Sequence, residues 1–272
     1  MSGKYCKLIS FESNKKGTSK MAEKKSELKI NALPIQIRET VWPFADKFIA
    51  VLGENLQSIT VVGSSLTIDF RPGLSDINTV LVLKSHTLDS LKSIASNAKS
   101  MNRKKISPPL LMTPSYIERS LDVFGIELLD FQLIHQTILG DDPFSTLTFE
   151  KKDVRLQCER ELKAMLIRLR QGYIAASANK KLVRDILISS IKSLSPLLRA
   201  MLWLKNIDRP KETELTFKKT YEHFSINTDS LTNTEKWRHQ KMHLDESLVN
   251  DTFVSIYTTV EKLSDIVDKL EV

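Results

Sequence analysis

The chain has 272 residues, 41% hydrophobic and 27% charged, with a net charge of +7; that is one large domain or two small ones, with enough apolar material for a real core. Eight glycines and nine prolines are few for this length, which disfavours a many-stranded sandwich and favours helices. Two cysteines exclude a disulfide framework and a four-cysteine zinc site, and no run approaches the roughly 18–20 consecutive apolar residues of a membrane span. The N-terminus also lacks a continuous apolar stretch of the secretory kind. A reducing, cytoplasmic setting with no membrane partner is therefore the expectation.

The charge is unevenly laid out. Residues 1–28 are net +4, 29–154 net −1, 155–219 net +9 and 220–272 net −5. A basic stretch of this kind can meet phosphates, nucleic acid or the acidic segment that follows it in the same chain. The intramolecular and solvated readings carry the greater weight.

Residues 1–30 are polar and rich in Lys and Ser, and read as a disordered basic tail. From Pro34 the pattern is helical: Ile37, Val41, Phe44, Phe48, Val51 and Leu52 fall on one stripe. Pro43 should kink or restart that helix, and Gly53 suits its C-cap. Gln57–Val62 is a short β-branched run, hence a strand, and Ile77–Leu83 is a second, nearly all apolar and so buried on both faces. A helix over Leu88–Ala98 and a short strand around Leu110–Met112 come next. Thr113-Pro114 is an N-cap and first-turn proline opening a helix, and Ile126–Phe131 (IELLDF) reads as a further strand. After Gly140-Asp141-Asp142-Pro143 the period becomes helical throughout, with helices over 153–177, 180–204 (kinked at Pro196), 211–224 and 247–270. Three segments result: the tail over 1–30, an αβ domain over 31–150 and a helical bundle over 151–272.

The chemistry concentrates in ITVVGSSLTIDFRPGLSDINTVLVL (Ile59–Leu83). A strand ends in Gly63-Ser64, and after a spacer Asp76 enters the next strand. Glycine lets a backbone come close to a phosphate, and Ser64 adds a hydroxyl donor beside free N–H groups. A carboxylate at the mouth of the neighbouring strand can hold Mg²⁺ against those phosphates. Strand alternation puts positions 76 and 78 on the same side.

Val62-Gly63-Ser64 followed by Ser75-Asp76-Ile77-Asn78 resembles the signature of the polymerase-β-like nucleotidyltransferase superfamily. In that signature an apolar-Gly-Ser turn precedes Asp-apolar-Asp. The layout is most similar to the minimal and aminoglycoside adenylyltransferase-type bacterial members. The resemblance implies an α+β fold, a small mixed-sheet domain followed by a C-terminal helical bundle. It also implies a Mg²⁺-dependent transfer of a nucleoside monophosphate from ATP or another NTP to an acceptor: a small molecule, protein or RNA. On it, Gly63 and Ser64 cradle the phosphates, Asp76 is catalytic and ligates metal, and Asn78 takes the second ligand position. Glu127 becomes the third carboxylate, catalytic and metal-binding, with Asp130 as the alternative. The departure is Asn78, where the family has aspartate: an amide oxygen can ligate Mg²⁺ but brings no charge. The alternative function is therefore a non-catalytic nucleotide- or RNA-binding protein on a degenerate nucleotidyltransferase fold.

Other residues carry less. Lys163, Arg168, Arg170 and Arg184 could reach a triphosphate, yet each also reads as part of a solvated helix face. Tyr173 and Trp203 read as core, and His135 as a surface or junction histidine. Arg238 and His243 have the spacing of one family of helical ribonucleases, in a six-residue string that arises easily by chance.

Overall fold

The computed structural model describes residues 24–177, 179–238 and 245–272. They form two compact units. The first comprises the residues up to Arg119 together with Ile134–Leu147, and the second comprises Ser120–Leu133 with Thr148–Val272.

In the first unit, helix α1 (Ile35–Leu52) buries Ile37, Val41, Phe44, Ala45, Phe48, Ile49 and Leu52, most of the stripe its spacing predicts, but Val51, expected on it, is exposed. It does not restart at Pro43. That residue and Trp42 lie on the exposed face, so water can take over the backbone acceptor that the proline leaves unmatched. Strands β1 (Leu56–Val62), β2 (Asn78–Leu83), β3 (Leu110–Met112) and β4 (His135–Leu139) make one mixed sheet in the order β3-β2-β1-β4. β1 is antiparallel to both β2 and β4, while β2 and β3 are parallel. Ile59, Val61, Leu81 and Leu83 join the α1 stripe in one apolar core. Short helices α2 (Leu88–Ala95), α3 (Ala98–Arg103) and α4 (Pro114–Glu118) complete the unit. Thr113 caps α4 as expected, its hydroxyl accepting from the Tyr116 N–H.

The tail expected over 1–30 is docked from residue 24 onward. The Lys24 ammonium donates to the Gly53 and Leu56 carbonyls, at 2.9 and 2.6 Å, and the Lys29 N–H donates to Ile138 O in β4 at 2.7 Å. Local composition could not show this, because polar residues here gain their order from distant backbone groups.

The second unit is helical: α5 (Gly125–Leu133), α6 (Lys151–Ala175), α7 (Lys180–Leu204), α8 (Thr213–Phe224), α9 (Asp229–Trp237) and α10 (Glu246–Asp268). Its core runs through Cys158, Leu162, Met165 and Leu169 on α6, Leu187, Ile191 and Leu198 on α7, and Ile256, Val260 and Leu263 on α10. α7 passes through Pro196 without a break. By length and composition α7 could cross a membrane, but 56% of its most apolar window is buried inside the protein, as befits the central helix of a bundle.

The strand expected over Ile126–Phe131 is instead α5. Six residues cannot separate a period of two from one of 3.6, and long-range contacts decide the matter. The Ile126 N–H donates to Gln157 Oε1 on α6, and Asp130 pairs with Arg199 on α7. The strand that does pair with β1 on this side, β4, begins at His135. The chain therefore enters the helical unit at Ser120, returns for β4, and leaves again at Thr148, rather than crossing once near residue 150.

Candidate active site

β1 ends at Val62, and Gly63 turns the chain with φ +80° and ψ −160°, a region essentially reserved for glycine. A single 3₁₀ turn, Ser64–Leu66, follows. The Leu66 and Thr67 N–H groups donate back to Gly63 O and Ser64 O, and the Gly63 N–H donates to Ile134 O. The N–H groups of Ser64 and Ser65 have no acceptor among the described residues. Ser65 is buried, and its hydroxyl also lacks a partner. Two free N–H groups and an orphaned hydroxyl at a sharp turn make a small anion-binding concavity. Ser64 itself is exposed beside it.

The neighbouring strands bring two polar side chains to this end of the sheet. Val62 pairs across β1 with Asn78 on β2 and with His135 on β4, so the three side chains form one row on one face. Asn78 Nδ2 lies 3.8 Å from where a Cβ on Gly63 would stand. Gly63 and Asn78 are thus neighbours at this end of the sheet. Asp76 enters β2 two residues earlier, is exposed, and makes no hydrogen bond or ion pair with any described residue. It opens onto a groove of about 520 Å³ lined by Lys99, Asn102, Lys105 and Ser107.

His135 is the residue that sequence reasoning undervalued. Its Nε2 lies 2.8 Å from Asp142 Oδ2, its side chain is 14% exposed, and Nδ1 is buried without a partner. Asp142 Oδ1 accepts the N–H groups of Phe144 and Ser145. Burial alone would raise the Asp142 carboxyl, but the bonds from His135 and from these backbone N–H groups together hold it below its ordinary value. Strand geometry puts His135 and Thr137 on one face of β4. Thr137 indeed bonds Thr60 across β1–β4, Oγ1 to Oγ1 at 2.8 Å.

Glu127 lies on α5 of the helical unit, not on a strand, where its carboxylate accepts from Gln157 Nε2 at 2.8 Å and its charge is felt by buried Cys158. Asp130 is committed to Arg199. The premise that put either on a strand beside β1 fails, and none of the four strands carries a carboxylate. Among the described residues, no three His, Cys, Asp or Glu side chains are grouped to hold a metal ion. Within the first unit, the strand mouth offers one carboxylate, Asp76, and one neutral amide, Asn78, which alone do not fit a two-metal centre.

The basic helix residues bond within their own unit. Lys163 pairs with Glu159 and Asp268, Arg168 with Glu161, Arg170 donates to the Tyr257 hydroxyl, and Arg184 donates to Trp237 O. Tyr173 donates to Asn250 Oδ1 and packs on Phe253, and Trp203 meets Phe149 edge-on. Arg238 pairs with Glu235, while His243 lies outside the described residues.

No family model matches the chain, and no curated protein is similar to it in sequence. Among solved structures, it is similar to spectinomycin adenyltransferase AAD(9) from Enterococcus faecialis, determined with ATP and spectinomycin. The TM-score is 0.54 at 13% identity, over 82% of this chain and 98% of that one. This likeness shows the fold: a nucleotidyltransferase-like α+β domain with a four-stranded mixed sheet, plus a C-terminal helical region.

Proposed function

We propose that the αβ unit binds a nucleoside triphosphate at the Gly63–Ser65 turn, and that the protein is a nucleotide-binding descendant of the nucleotidyltransferase fold in which two-metal transfer chemistry is lost. The carrying observation is the pairing of an intact anion concavity with strands that hold no carboxylate. The Ser64 and Ser65 N–H groups and the Ser65 hydroxyl would take phosphate oxygens, and the Asn78 amide beside Gly63 would donate to them. A phosphate there needs no counter-carboxylate, whereas transfer would need metal ligands that these strands do not supply.

A second reading keeps the reaction: AMP or another nucleoside monophosphate passes from an NTP to an acceptor, with Mg²⁺ at Asp76. It is favoured by one observation, the exposed Asp76 carboxylate two residues before Asn78 and free of any described partner.

Calorimetry with ATP, GTP, CTP and UTP, with and without Mg²⁺, on wild type, Asp76→Ala and Asn78→Asp separates the two. The binding reading expects NTP affinity in the wild type that survives Asp76→Ala, no pyrophosphate release, and a new Mg²⁺ dependence in Asn78→Asp. Wild-type turnover would establish the second reading. Absence of NTP binding by a folded wild type would remove both.

A further inference from the structure

A second concavity lies at the far end of the same sheet. Gly63 follows the last residue of β1, whereas Ser58 stands near its start, five residues and so roughly 16 Å back along the strand. Here a groove of about 280 Å³ opens between β1, β2, α4 and the loop after β4, within the first unit.

Its lining has two chemistries. Val82, Ile117 and Leu147 give apolar walls, and at the rim stand two carboxylates, Glu118 and Asp141. Both are exposed, and neither makes an ion pair or hydrogen bond with a described residue. The third acid of the groove, Asp142, is already occupied: Oδ2 by His135 and Oδ1 by two backbone N–H groups. At the floor Ser58 is 3% exposed, and its hydroxyl has no hydrogen-bond partner among the described residues. A hydroxyl shut away without a partner costs roughly 1–3 kcal/mol, a cost that a ligand with a polar end would remove. The chain shapes this place deliberately. Gly140 approaches β1 so closely that a Cβ would lie 2.0 Å from Gln57 O, and this brings Asp141 and Asp142 against the start of the strand.

We propose that this groove binds an organic ammonium ion, a primary amine carried on a short apolar body. Two uncompensated carboxylates at the rim select a cation. The apolar walls and the absence of a third free ligand disfavour a bare metal ion, which needs several oxygens around it. The Ser58 hydroxyl accepts from an N–H that reaches the floor, while the carbon body covers the part-exposed apolar wall at Leu147. Asp142, bonded to His135, lines the side of the groove toward the Gly63 turn, but the two free carboxylates and Ser58 stand at the other end of β1, so amine binding does not depend on a nucleotide at the turn.

Cyclohexylamine is the probe, with cyclohexanol as its uncharged counterpart of nearly the same shape. In protein-observed NMR at neutral pH, cyclohexylamine should shift the amides of residues 57–58, 117–118 and 141–147, and leave those of 63–66 unmoved. Cyclohexanol should bind roughly tenfold more weakly. The double variant Glu118→Gln/Asp141→Asn should lose about tenfold in amine affinity, the scale of two part-exposed ion pairs, and leave cyclohexanol unchanged. Ser58→Ala should weaken the amine severalfold. Equal binding of amine and alcohol to wild type, or no shift at these residues, overturns the proposal without any variant. So does a folded double variant that binds the amine as wild type does.

Discussion

Arg199 on α7 holds Asp130 on α5 through two bonds, Nε to Oδ1 at 2.6 Å and Nη2 to Oδ2 at 3.2 Å. The side chains are only 7% and 12% exposed. Arg209 stands close as well, donating to Leu129 O; burial lowers its pKa, and the Asp130 charge opposes that shift. Removing one member of such a buried pair leaves the other charge uncompensated, at a typical cost of about 3–5 kcal/mol. Because Arg209 remains beside Asp130, Arg199→Met should fall near the lower end, about 3 kcal/mol in urea unfolding. The double variant Arg199→Met/Asp130→Leu should recover most of that loss, and no recovery would mean that the pair is not the cause.

The two glycines that end β1 and β4 predict different severities. At Gly63 an added Cβ would meet only Asn78 Nδ2 at 3.8 Å, so Gly63→Ala suffers backbone strain alone, about 1–3 kcal/mol. At Gly140 the Cβ would overlap Gln57 O at 2.0 Å, and the backbone must move. Gly140→Ala should therefore lower the urea midpoint more than Gly63→Ala. The reverse order would contradict the packing of the β4 turn on β1.

Acid should act through Asp142. Its carboxyl is held below the ordinary 3.8, so its contribution is full above the unfolded value near 3.9 and is lost as pH falls through the folded one. Asp142→Asn should be less stable than wild type at pH 6, and the gap should shrink by pH 3. A gap that is constant with pH would mean that the charge on Asp142 contributes nothing.

Burial pushes the Cys158 thiol far above its usual range, with the charge of Glu127 acting in the same direction. The thiolate is the reactive form, so Cys158 should resist iodoacetamide in the folded protein and be alkylated only on opening. Peptide mass mapping after brief labelling checks this. Rapid alkylation of Cys158 under native conditions would show that the α6 core opens readily.

Strands β1 and β2 and the turn between them were legible because their signals are local. Gly63 sits where only glycine tolerates the turn, and the apolar runs of β1 and β2 flank it at strand length. α5 was not legible. Ile126, Leu128 and Leu129 with Glu127 and Asp130 between them fit either period over so short a span, and the deciding partners, Gln157 and Arg199, lie 31 and 69 positions away. The His135–Asp142 pair was missed for a related reason. Seven positions of sequence contain a strand and a reversal at Gly140, and only the fold brings the two side chains back together. Nor did the apolar pattern announce α9, whose burial rests on few positions, Leu231, Thr234 and Trp237.

The detour of the chain through α5 has a consequence for how the molecule is made and dissected. β4 cannot reach β1 until Ser120–Leu133 has been synthesised, and that stretch finds Gln157 and Arg199 only when α6 and α7 have followed. On the ribosome, the sheet can be complete while α5 still waits with Ile126 and Leu129 bare. Cutting at residue 150 would make that wait permanent, and cutting at 119 would remove the edge strand. Neither half can be excised as a contiguous gene fragment without leaving a hydrophobic helix or an unpaired strand behind.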